Sequence, residues 1–134
     1  MKKLSFIIIL LAVATTISAS LVFYNSVGIV EEVATAIKTG NSTNVSKYFN
    51  STLDLTVPGS EGTYSKVQAE MILKDFFSKN APKSFLINHQ GASNDGSLYA
   101  IGTYTSATAA LRTYFLLKKS GTTYLIQKLE FEEN

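Results

Sequence analysis

Ser65-Lys-Val-Gln-Ala-Glu-Met-Ile-Leu-Lys-Asp-Phe-Phe-Ser-Lys-Asn-Ala-Pro-Lys-Ser-Phe-Leu-Ile-Asn-His-Gln90 holds the change of hydrophobic period that decides the fold. Ser65 with Gln68 three residues on is a capping box, flanked by Tyr64 and Ala69 at the staple positions. The helix it opens runs to about Lys79. Its apolar stripe reads Val67, Met71, Leu73 or Lys74, and Phe77, with Ala69, Ile72 and Phe76 alongside, a width that suits a helix laid on a sheet. Asn80 and Pro82 end it, and from Ser84 the period falls to two.

After that point the sequence reads as strands alone: Ser84 to Gln90, Leu98 to Thr105, Leu111 to Lys119 and Thr123 to Glu132. Asn94-Asp95-Gly96 and Ser120-Gly121 are hairpin signals, and Ser106 to Ala110 a longer loop. Before the helix, Asn25 or Ser26 can cap a first helix with the stripe Val27, Val30, Ala34 and Ile37, stopped by Gly40. A second short helix follows, Val45 to Phe49, then a strand from Thr52 to Val57. Pro58 to Tyr64 reads as a turn-rich link. The order is α-α-β-α-β-β-β-β. Helices gathered early and strands late imply an α+β domain with its helices on one face of an antiparallel sheet.

The late strands are apolar on both sides. Leu111, Thr113, Phe115 and Leu117 oppose Arg112, Tyr114 and Leu116, and Leu125, Leu129 and Phe131 oppose Tyr124, Ile126 and Lys128. A sheet covered on one face alternates more strictly. The face bearing Arg112, Tyr114, Leu116, Tyr124 and Ile126 is therefore expected to be covered by a second copy, giving a homodimer.

The first residues read as an export signal. Lys2 and Lys3 precede an apolar run from Leu4 to Ala14, and Ser18-Ala19-Ser20 offers small residues for cleavage. Ala12-Val13-Ala14 is a second cleavage candidate. An uncleaved anchor is the rival, but Thr15, Thr16, Ser18 and Ser20 dilute the apolar span it needs. The expected organisation is a signal over residues 1–20 and one domain over 21–134, working in the periplasm or outside the cell. The membrane is then a partner only through an uncleaved signal.

Of 12 basic and 10 acidic residues, Lys2 and Lys3 lie in the signal, so residues 21–134 carry ten of each. Nothing clusters as a nucleic-acid partner would require. The chain has no cysteine, which excludes disulfides, thiolate metal sites and thiol nucleophiles. One histidine alone argues against a transition-metal site, and no glycine-rich phosphate loop occurs, so no cofactor and no metal is expected. The sequons at Asn41, Asn44 and Asn50 fall in a linker rich in Asn, Ser and Thr, where that pattern arises readily by chance.

Glu61-Gly-Thr-Tyr-Ser-Lys-Val-Gln-Ala-Glu-Met-Ile-Leu-Lys-Asp-Phe-Phe-Ser-Lys-Asn80, Pro82-Lys-Ser-Phe85, His89-Gln-Gly91, Tyr99-Ala-Ile-Gly-Thr103 and Tyr124-Leu-Ile-Gln-Lys-Leu129 resemble an exported bacterial family, domain of unknown function 4783, within the nuclear transport factor 2-like, or cystatin-like, superfamily. The resemblance covers nearly all of residues 21–134. It implies a cone with a curved sheet and a bacterial cell-envelope setting, and it brings no activity and no catalytic residues. Fold likeness by itself decides no chemistry.

Three functions stay open on the sequence. The first is a non-catalytic exported module binding a small apolar ligand or a protein partner. The second is a small cone enzyme of isomerase or dehydratase type, with Asp54, His89 and a tyrosine as its acid–base set. The third is a structural or accessory envelope protein. The candidate pocket for the first two is Tyr48, Asp54, His89, Tyr99 and Tyr104. His89 stands in phase with Phe85 and Ile87, so the expectation is a half-buried strand histidine whose ring nitrogens are satisfied by neighbours.

Overall fold

The structure, a computed structural model, describes residues 28–134. The proposed signal and the cap at Asn25 or Ser26 lie outside the described residues. Residues 28–39 form α1, burying Val30, Val33, Ala34, Ala36 and Ile37, and the Gly40 amide closes it on the Ile37 carbonyl at 3.0 Å. Next comes α2 (Ser42–Ser46), one turn earlier than expected. The Asn41 side chain accepts from the amides of Thr43 and Asn44 and so starts the helix there, which frees Phe49 to begin a strand.

The sheet has six strands: β1 (Phe49–Val57), β2 (Ser60–Ser65), β3 (Pro82–Ala92), β4 (Leu98–Ser106), β5 (Ala110–Ser120) and β6 (Thr123–Glu133). Their spatial order is β2-β1-β6-β5-β4-β3. The α+β order stands, with one strand added, since the stretch expected as a link holds β2. Its composition, with Ser, Glu and Gly, gives little strand signal. It pairs because Pro58-Gly59 makes a two-residue turn, with Gly59 at φ 90, and because Tyr64 then packs on the core opposite Leu53. The sheet is also mixed rather than wholly antiparallel: β1 runs parallel to β6.

The long helix α3 (Lys66–Lys79) carries the capping box, with Gln68 N donating to Ser65 Oγ at 3.3 Å and Ser65 N donating to Gln68 Oε1 at 3.2 Å. A cap of this kind contributes about 1 kcal/mol. Its buried stripe is Ala69, Leu73, Phe76 and Phe77. Val67 and Met71, expected inside, are each 68% exposed. With apolar residues on both sides of the helix, the period alone leaves two faces in contention, and the sheet takes the one carrying the phenylalanine pair.

Between α3 and the sheet, Phe76, Phe77, Tyr104 and Phe131 form one aromatic cluster, with ring centroids 4.7–6.4 Å apart. Tyr104 is fully buried, and its hydroxyl donates to the carbonyl of Asn80, the residue that ends α3. Burial pushes the Tyr104 phenol well above its ordinary range.

Two bulges set which side chains face away from the helices. In β6, Leu116 pairs with Lys128 while Leu117 pairs with Ile126, so Gln127 is the extra residue, and Asn50 Nδ2 donates to its Oε1 at 3.0 Å. In β3, Ile87 pairs with Gly102 while His89 pairs with Ile101, leaving Asn88 extra. Each bulge slips the alternation by one.

Candidate functional site: the outer face of the sheet

Register fixes the outer face as rows of side chains running across the strands. One row is Thr63, Asp54, Lys128, Leu116, Tyr99 and Gly91. The next is Glu61, Thr56, Glu130, Tyr114, Ile101 and His89. A third holds Glu132, Arg112, Thr103 and Leu86. Tyr99, Ile101, Tyr114, Leu116 and Leu125 are only half-buried here, and Leu86 is 64% exposed. The apolar part of the face lies over β4 and β5, with Leu86 beside it on β3.

Of the expected dimer face, Arg112, Tyr114 and Leu116 lie where the alternation puts them. Ile126 does not. The β6 bulge turns it to the helix side, where it is fully buried opposite Leu117, and Tyr124 follows it to pack against the core. Leu125, opposite Lys118, takes their place outside. A bulge leaves no mark in an apolar alternation, and Gln127, the polar residue it isolates, is the one sequence cue that could have shown the slip.

The five candidate pocket residues do not converge. Tyr104 is in the core. Tyr48 sits beside α1, where burial and the Glu32 carboxylate raise its phenol. Asp54, His89 and Tyr99 share the outer face, but Asp54 is on β1 and His89 on β3, four strand spacings away. At 4.7–4.9 Å per spacing, that is about 19 Å, too far for a shared proton. Asp54 instead accepts from Thr63 Oγ1 at 2.6 Å.

His89 does not lie with Phe85 and Ile87 as expected. The β3 bulge turns it outward, exposed, with Nε2 3.0 Å from the Tyr99 hydroxyl, while Asn88 Nδ2 donates to Thr103 Oγ1 at 2.9 Å. Tyr99 itself lies across Gly91, where a Cβ would come within 2.8 Å of its hydroxyl.

Charge divides the face. Over β2, β1 and β6 it carries Asp54, Glu61, Glu130 and Glu132, with Lys128 among them. Lys128 Nζ is 2.6 Å from Glu130 Oε1, and that hydrogen bond, with the carboxylate charge, raises its pKa. Over β3, β4 and β5 the charges are Arg112 and Lys118, and no carboxylate stands at an outward position. Asp95 lies beyond, in the β3–β4 turn, where it accepts from the Ser97 amide at 2.9 Å, an interaction that lowers its pKa.

The clefts elsewhere are open grooves. One of about 440 Å³ runs between the β1–β2 turn and α3, lined by Pro58, Met71, Ile72 and Phe76 and rimmed by Asp75 and Lys79, which pair with each other at 2.9 Å. Another of about 520 Å³ lies over the α1–α2 link against Glu70 and Lys74. Among the described residues no group of three or more His, Asp or Glu could hold a metal ion, and no helix is long and apolar enough to cross a membrane.

Comparison with known proteins agrees with this architecture. A search of curated proteins returns no match. A protein from Bacteroides ovatus is 32% identical, with a TM-score of 0.72 over 77% of this chain and 93% of its own. One from Bacteroides uniformis is 31% identical, with a TM-score of 0.72 over 78% of this chain and 95% of its own. Both are solved structures of the DUF4783 family. An NTF2-like protein of unknown function from Cytophaga hutchinsonii shares the fold at a TM-score of 0.58 and 13% identity, over 81% of this chain and 89% of its own. The model of the same family matches residues 30–132, and the chain belongs to the family described as domain of unknown function (DUF4783), on an NTF2-like fold.

Proposed function

We propose that the protein is an exported, non-catalytic binding module that works through the outer face of its sheet, with a second copy of the chain as partner. One observation carries this reading. The space between α3 and the sheet is taken up by Phe76, Phe77, Tyr104 and Phe131, whereas Tyr99, Ile101, Tyr114 and Leu116 are left half-exposed side by side on the other face. Contiguous apolar surface of that kind marks an interface. Six strands of 6–11 residues across five spacings give roughly 750 Å² of sheet, near the ~800 Å² per partner of a stable complex.

Tyr114 is central in this face. Tyr114→Glu replaces an interfacial aromatic by a buried charge and is expected to weaken the dimer by at least about 100-fold, since such a change typically costs 3 kcal/mol or more. Sedimentation at micromolar concentration checks it, and a wild-type monomer under those conditions ends the proposal.

Export is part of the same reading, supported by Lys2, Lys3 and the apolar run that follows. The mature protein is expected to begin between about residues 15 and 25, which intact-mass measurement decides. A retained Met1 contradicts it.

A further inference from the structure

We draw no further inference here: the strongest candidate, the open groove between the β1–β2 turn and α3 that Pro58, Met71, Ile72 and Phe76 line, carries nothing, because its rim charges Asp75 and Lys79 pair with each other and nothing in the structure shows what covers it.

Discussion

Tyr104→Ala is expected to lower the unfolding free energy by about 3–5 kcal/mol, the range for emptying a fully buried aromatic site. Two separate effects combine. The ring is fully buried and meets Phe76, Phe77 and Phe131 with centroids 5.3–6.2 Å away, so its removal leaves a void walled by three aromatic rings. The hydroxyl also holds the carbonyl of Asn80, and with it the end of α3 against β4. Tyr104→Phe separates the two: it keeps the ring and is expected to cost only about 1–1.5 kcal/mol, for a neutral hydrogen bond. The phenol adds a dependence on pH. Its pKa is raised in the folded protein, so the folded state holds a proton that the unfolded chain gives up near pH 10. Stability therefore falls as pH rises through that value, and the fall should be shallower in Tyr104→Phe. Urea titrations of the three proteins at pH 7 and pH 11 check all of this, and equal midpoints for Tyr104→Phe and Tyr104→Ala would show that the ring is not packed as described.

Gly102→Ala is expected to be clearly destabilising, although it adds a single methyl. A Cβ at this position would lie 2.5 Å from the backbone oxygen of Leu86 and 3.0 Å from the Phe85 ring. The ring can turn aside, but the carbonyl belongs to β3, and moving it means parting β3 from β4 at the Gly102–Ile87 pair, beside the β3 bulge. Overpacking of this sort costs about 1–3 kcal/mol, occasionally more, and here the yielding atom is backbone. The loss should be local: amide exchange in β3 should quicken well ahead of β1 and β6. Uniform acceleration across the sheet, or a thermal midpoint within a degree of wild type, would refute the close approach.

How far the residues announced all this varies with the kind of signal. The capping box at Ser65, the meander turns at Gly96 and Gly121 and the four late strands rest on local chemistry, and the structure keeps them with bounds moved by a residue or two. β2 was hidden because its stability comes from the hairpin partner and from Tyr64, neither of which shows in Ser60-Glu-Gly-Thr-Tyr-Ser65 itself. The outer face was half legible. Alternation placed Tyr114 and Leu116 correctly, and failed at Ile126 and His89 for one shared reason: a bulge shifts the side of every residue beyond it, and its position is decided by the neighbouring strand. The separation of Asp54 from His89 needed the strand order, which comes from the parallel joining of β1 to β6, a pairing no local pattern encodes.

That pairing governs when folding can finish. The strand that joins the β1–β2 hairpin to the β3–β5 meander is β6, last in sequence and interior in the sheet. Leu55 meets Leu129 across more than seventy intervening residues. Contacts of such separation must bear the loop-closure entropy before they return any stabilisation, which puts domains of this kind among the slower two-state folders. Without β6 in place, the β1–β2 hairpin and the β3–β5 meander are two half-sheets with open edges. The eleven residues of β6 thus join two half-sheets in one step, giving each a partner for its open edge.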